Sequence, residues 1–261
     1  MKAKLFDKAG KEKGTVDLPK AFTKTIREDI LLKVYEAQKG EAMQRYGAKE
    51  GAGAQYSASG IIKKKRHDWK ASYGKGISRI PRKVMSRHGA SFNWIGATVS
   101  STRGGRRPHA PRSEKILIKK INKKELLIAF QSALAGTIDQ SSLEKKYGKK
   151  LGSGFIFDES ILALKTKEFL KTLKNVFKDS EDKILKKKSI RAGIGKMRGR
   201  KYKSNAGLLF VIGKDEKMKR TGLSIIQSDK IKLRDLCPNG QPGRLTAYTE
   251  NAIKELGERF T

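Results

Sequence analysis

Acidic residues are scarce. The 261-residue chain holds 26 Asp and Glu against 60 Lys and Arg, a formal net charge of +34. Self-repulsion on that scale opposes compactness unless a polyanion neutralises it, so the expected partner carries many phosphates, with nucleic acid first. Cysteine is nearly absent: Cys237 stands alone before Pro238. That excludes an internal disulfide and fits a reducing cytosol, and nothing beside the thiol in sequence would activate it as a nucleophile. Long hydrophobic runs are missing as well. The longest purely aliphatic or aromatic run is LLFVI, far short of the roughly 20 residues of a membrane-spanning helix. The opening MKAKLFDKAG lacks the apolar centre of a signal peptide. Neither an amphipathic basic helix nor a lipid anchor is present to suit an acidic membrane.

Metal and cofactor chemistry find little support. His67, His88 and His109 lie in one irregular stretch without Cys or Asp at metal-ligand spacing. GIGKMRG has five residues between its outer glycines, Arg200 after the second, and a strand behind it, which is the wrong spacing and order for a phosphate loop. GAGAQYSASG follows a helix and misses the dinucleotide spacing. Asp158 and Glu159, at the end of a candidate strand, keep one enzymatic alternative open: an RNA-modifying or RNA-cleaving enzyme whose carboxylates hold magnesium. The competing reading is that they cap the following turn. No catalytic, metal or cofactor residue is assigned, and no small-molecule substrate is expected.

What the chain does contain is a fold. Its hydrophobic fraction of 37% is low, yet a chain of this length buries a proper core. AKLF reads as a strand. TKTIREDILLKVYEAQKGEAMQRYG reads as a helix, with Thr25 and Glu28 as a capping box and Ile26, Ile30, Leu31, Val34 and Tyr35 on one face. NKKELLIAFQSALAGT begins with Asn122 as N-cap and puts Leu126, Phe130, Ala133 and Leu134 together. GFIF, TKEFLKTLKNVF, GLLFVI, LSII and LTAY follow as alternating strands and helix, and a last helix carries Ile253, Leu256 and Phe260. Runs apolar on both faces predict a three-layer α/β domain, a mostly parallel central sheet flanked by helices, over residues 1–46 and 116–261. The strand order is not fixed by the sequence.

Between these parts, residues 47–115 show no helical or strand period and hold 16 Lys or Arg, 3 Asp or Glu and 10 Gly. Loops beyond about 15 residues are uncommon in compact domains, so the segment is either disordered or ordered by a partner. Tyr56, Trp69, Tyr73, Phe92 and Trp94 favour a partner, since aromatics are costly in a solvated tail and useful for stacking. The expectation is an extended arm inserted after the first long helix. Its candidate RNA contacts are Lys63, Lys64, Lys65, Arg66, Trp69, Lys70, Lys75, Arg79, Arg82, Lys83, Arg87, His88, Phe92, Trp94, Arg103, Arg106, Arg107 and Arg112. Arginine stacks on bases and pairs with phosphates, the chemistry RNA recognition uses most.

A second basic block runs from Lys183 to Lys203, where 10 of 21 residues are Lys or Arg and none is acidic. Gly193, Gly195 and Gly199 let the backbone approach phosphates. The candidates are Lys187, Lys188, Arg191, Lys196, Arg198, Arg200, Lys201, Tyr202 and Lys203. A solvated turn between helix and strand is the competing reading, and the density of charge favours RNA.

IRAGIGKMRGRKY, then GLLFVIG and PNGQPGRLTAYTENAIKEL, together with LFD, VDLPKAF, IREDI, SRIPR, HAPRSEK and SALAGT in this order, resemble the universal large-subunit ribosomal protein L4 family across nearly the whole chain. The resemblance implies a non-enzymatic structural protein of the cytoplasmic ribosome, with an α/β domain anchored on large-subunit ribosomal RNA among neighbouring ribosomal proteins. It implies an arm that reaches inward and helps line the tunnel used by nascent peptide. Arg79, Arg82, Lys83, Arg87, Arg103, Arg106 and Arg107 would then meet RNA from the arm, and Arg198, Arg200, Lys201 and Tyr202 from the second block. The arm exceeds the bacterial type and the long eukaryotic C-terminal extension is lacking, so the resemblance is archaeal in character. SFNWIGATV departs from the small, basic pattern of the arm's tip, leaving Phe92 and Trp94 to serve either RNA bases or a neighbouring protein. A free RNA chaperone is the third reading.

Overall fold

Every residue of Leu208–Ile212 is buried, which a strand achieves only inside a sheet covered on both faces. The computed structural model describes residues 2–58, 62–68, 70–89, 91–148, 152, 154–177, 184–185, 188–220 and 222–260, and of Ser91 and Phe92 only the backbone. In chain order the main elements are β1 (Lys2–Phe6), β2 (Glu12–Asp17), α1 (Glu28–Ala42), β3 (Arg82–His88), β4 (Ser91–Gly96), α2 (Lys123–Ile138), α3 (Gln140–Tyr147), β5 (Phe155–Phe157), α4 (Thr166–Val176), β6 (Lys188–Ile190), β7 (Tyr202–Ser204), β8 (Leu209–Ile212), β9 (Ser224–Gln227), β10 (Thr246–Thr249) and α5 (Glu250–Phe260), with one further helical turn at Leu233–Leu236 and short 3-10 turns between them. Two compact units result: Met1–Ala42 with Ile118–Thr261, and Met43–Leu117.

In the first unit six strands form one sheet in the order β2-β1-β5-β10-β8-β9. β1, β5, β10, β8 and β9 run parallel, and β2 closes one edge antiparallel to β1. The last strand of the chain is therefore inserted between β5 and β8. Alternation along the strands separates two apolar layers. Ile156, Leu209, Val211 and Tyr248 face α1, α2 and α5 through Leu31, Val34, Leu134, Ile253 and Leu256. Phe155, Phe157, Phe210 and Ile212 face α4 through Phe169 and Leu173, with Phe177 just past its end. Helices on both faces of a mostly parallel sheet make the expected three layers.

The start of α1 differs from the sequence expectation. The helix begins at Glu28, and Thr25 caps nothing: its carbonyl accepts from the Ser132 hydroxyl at 3.3 Å, while the Arg27 N–H donates to the same hydroxyl at 3.3 Å. A residue of α2 thus satisfies the chain before α1, and the first helical bond runs from Leu31 N–H to the Arg27 carbonyl at 3.1 Å. Asn122 does precede α2 with extended backbone, but its side chain makes no cap bond. Not every basic residue faces solvent. Arg244 is buried, and its guanidinium donates to the carbonyls of Ala206, Gly207 and Asp235, holding the entrance to β8.

The second unit is built differently. Among its described residues the buried apolar side chains are Ala71 and Ala97. Regular structure is present where none is expected from the sequence: β3 and β4 pair as an antiparallel hairpin with a bulge between Val84 and Ser86. Val84, Met85 and Ile95 remain exposed. With no face to bury, the hairpin has no reason to alternate apolar and polar residues, so the period of two is unwritten.

Candidate nucleic-acid interface

The hairpin gathers part of the arm's predicted set. Arg82 lies opposite Gly96, Lys83 opposite Ile95, Val84 opposite Trp94, Arg87 opposite Phe92 and His88 opposite Ser91. Three aromatic rings of this unit each carry a cation: Arg79 over Tyr73 at 5.3 Å, Arg82 over Trp94 at 5.4 Å and Lys83 over Tyr56 at 4.0 Å. Such pairs hold a positive charge beside a flat apolar face, the two things a nucleotide offers partners for. Lys63, Lys64, Lys65, Arg66, Lys75, Arg87, His88, Arg103, Arg106, Arg107 and Arg112 are exposed, and Lys70 is half-buried. Lys63 pairs with Asp68 at 2.9 Å and with the Lys70–Ser72 backbone, so it belongs to a local turn as well as to the basic surface.

Glycine brings two stretches of this unit together. A Cβ on Gly53 would lie 2.4 Å from the Gly105 carbonyl oxygen, and one on Gly105 would lie 2.0 Å from that of Val99. Beside this approach Ala48, Gly51, Gly104, Arg106 and Arg107 line a groove of about 450 Å³. Trp69 lies outside the described residues, as does the side chain of Phe92.

The second block is a hairpin as well, not only a solvated turn. Lys188 pairs with Ser204, Ser189 with Lys203 and Ile190 with Tyr202. Arg191 N–H donates to the Lys201 carbonyl at 2.8 Å, and its guanidinium to the Arg200 carbonyl at 3.2 Å. Gly193 and Gly199 both have φ of 75°, which favours glycine, and a Cβ at either would meet nothing within 4 Å. Lys188, Arg191, Lys196, Arg198, Arg200, Lys201, Tyr202 and Lys203 are all exposed. Lys183 and Lys187 lie outside the described residues.

The Ribosomal protein L4/L1 family model matches residues 16–259. The chain belongs to that family. It is similar to the large ribosomal subunit protein uL4 of Nanoarchaeum equitans, 32% identical over 273 residues, covering 99% of this chain and 98% of the relative. It is also similar to those of Methanococcoides burtonii, 33% identical with 99% and 98% covered, and Thermoplasma acidophilum, 34% identical with 98% and 98% covered.

In this L4-family protein the carboxyl end of the sheet, where the enzymatic alternative would place its chemistry, is occupied by internal bonds. Lys13 pairs with Asp158 at 2.9 Å, and that hydrogen bond holds the Asp158 carboxyl below its ordinary range. Asn251 donates to Glu159 and to Glu216, and Glu216 also accepts from the Thr249 hydroxyl at 2.8 Å and Gly213 N–H at 2.7 Å. Among the described residues no group of three or more His, Cys, Asp or Glu is arranged to hold a metal. Burial pushes the Cys237 thiol up to about 12, so it stays protonated and inert. No helix among the described residues is long and apolar enough to cross a membrane.

One basic surface escaped the sequence reading. A groove of about 680 Å³ beside β9 is lined by Met218, Ile225 and Ile226 and by Lys217, Lys219, Lys230, Lys232 and Arg234, with Glu216 and Asp235 among these cations. Its cations come from two short runs on either side of β9, KMKR and KIKLR, each unremarkable alone. The sheet wraps them around a single edge.

Proposed function

We propose that this ribosomal protein is a structural component of the large subunit that binds and stabilises large-subunit ribosomal RNA and assists its assembly. Residues 47–115 act as an arm that follows RNA inward and helps line the exit tunnel, with neighbouring ribosomal proteins and nascent peptide as its other partners. The second hairpin anchors the α/β domain.

One observation carries this reading: a segment rich in exposed arginine and lysine whose buried apolar side chains, among the described residues, are two alanines. Burying two methyl groups does not offset the entropy of ordering so many residues. Phosphates and bases supply the missing contacts, since cations paired with rings match both parts of a nucleotide.

Binding to protein-free large-subunit RNA, measured across salt concentration, tests it. If about eight phosphates are neutralised, log affinity falls with log salt at a slope of roughly −6 to −7. A slope near zero excludes RNA binding of this kind. Deleting residues 74–105 leaves a folded protein that still docks through residues 191–203, in subunits where nascent peptide no longer crosslinks at the arm's depth. Unchanged crosslinking contradicts the tunnel placement.

A further inference from the structure

Four large apolar side chains stand in the open on the β6–β7 hairpin. Met197 is 81% exposed, Ile190 64%, Ile194 63% and Tyr202 54%. None joins either core layer. Ile190 and Tyr202 are direct cross-strand partners and so share one face of the ribbon. Ile194 and Met197 occupy the turn, closed by a bond from Met197 N–H to the Ile194 carbonyl at 3.0 Å. Arg191, Lys196, Arg198 and Arg200 alternate with them along the chain, with no acidic residue from 188 to 203.

Holding phosphates does not require this composition. Lysine, serine and glycine would suffice, whereas apolar surface left in water is unfavourable until something covers it. What covers it must tolerate a dense positive rim, so it is anionic and also presents an apolar face. Paired RNA displays phosphates, sugar edges and a wide, shallow minor groove, while a nucleotide that has left the stack displays the flat face of its base. Side chains wedged against bases serve the same end in duplex binders.

Resting on the ribosomal RNA reading above, we infer that the tip of this hairpin covers the face of an unstacked nucleobase in folded RNA, with Ile194 and Met197 against the base and Arg198 and Arg200 on the flanking phosphates. Tyr202, with the Lys201 ammonium 5.5 Å from its ring centre, presents a second stacking face further down the ribbon.

The test separates apolar from ionic contributions in the full chain, using protein-free large-subunit RNA over a range of salt. The double variant Ile194→Gln, Met197→Gln removes no charge. It binds about tenfold more weakly at every salt concentration, with an unchanged slope. The double variant Arg198→Gln, Arg200→Gln instead makes the slope shallower by about 2. Both keep the wild-type unfolding midpoint, because all four side chains are exposed. A photoreactive methionine analogue at position 197 crosslinks to unpaired nucleotides. Wild-type affinity in the apolar double variant overturns the inference, as do crosslinks confined to paired nucleotides or to a protein in assembled subunits. Failure of the wild-type chain to bind this RNA sinks the proposed function itself, which is a different result.

Discussion

The two units of this chain reach order by different routes. In the α/β unit Phe157, Phe169 and Phe210 pack within one apolar layer, with ring centres of Phe157 and Phe210 5.8 Å apart and of Phe169 and Phe210 5.7 Å apart. Each fully buried ring contributes about 1.5–3 kcal/mol. In the unit of residues 43–117 the described rings of Tyr56, Tyr73 and Trp94 lie under cations instead, and at Gly53 and Gly105 the lack of a Cβ lets backbone approach backbone. On the proposed function, charge and glycine set a path for residues 43–117, and ribosomal RNA supplies the contacts that the core supplies in the α/β unit.

Substitutions in the two units act in opposite ways. The largest effect is expected in the core: Phe210→Ala lowers the unfolding free energy by about 3–5 kcal/mol, whereas Trp94→Ala stays within about 0.5 kcal/mol. Denaturant titration of the two variants reads this directly, and equal losses would erase the distinction. Next, replacing Arg79, Arg82, Arg106 and Arg107 with Gln leaves the unfolding midpoint in place. It makes the salt slope of RNA binding shallower by about 3–4, roughly one per lost phosphate contact. A shifted midpoint with an unchanged slope would mean that these arginines serve the fold.

A smaller effect isolates shape from charge. Gly105→Ala puts a methyl group against the Val99 carbonyl. Overpacking of this kind costs about 1–3 kcal/mol, which weakens RNA binding by about tenfold at every salt concentration with no change of slope. Wild-type affinity would show that the bound path does not need the close approach. The smallest effect concerns acid. The Arg27 guanidinium, hydrogen-bonded to Asp29 at 2.7 Å, holds that carboxyl down to about 2. A depressed carboxylate contributes stability above its unfolded value near 4 and loses it as pH falls towards 2. The stability difference between wild type and Asp29→Asn is therefore present at pH 7 and closes between about pH 4 and pH 2. Because the pair is exposed, the difference is small, and a difference that widens in acid would contradict the assignment.

How much of this was legible in the sequence follows from burial. Leu208–Ile212 and the Phe169, Leu173, Phe177 spacing could be read because burial on particular faces dictates which residues are apolar. The position of β10 between β5 and β8 could not, since all three strands look alike when each is covered on both faces. Both hairpins were hidden because exposed ribbons need no alternation, and β2 is exposed along most of its length for the same reason. The capping box at Thr25 failed on a contact with Ser132, more than a hundred residues away in sequence. For the candidate interface, charge density pointed to both basic segments. It did not reveal the rings under Arg79, Arg82 and Lys83, the apolar turn at Ile194 and Met197, or the cations folded around β9.

Hydrogen exchange of the full chain, with and without protein-free large-subunit RNA at low salt, shows whether RNA orders residues 43–117. If residues 43–117 take their shape from RNA, amides of Leu209–Ile212 are protected in both states, while those of residues 43–117 exchange rapidly in the free protein and slow markedly once RNA is added. Strong protection of residues 43–117 before RNA is added, or no change afterwards, would contradict it.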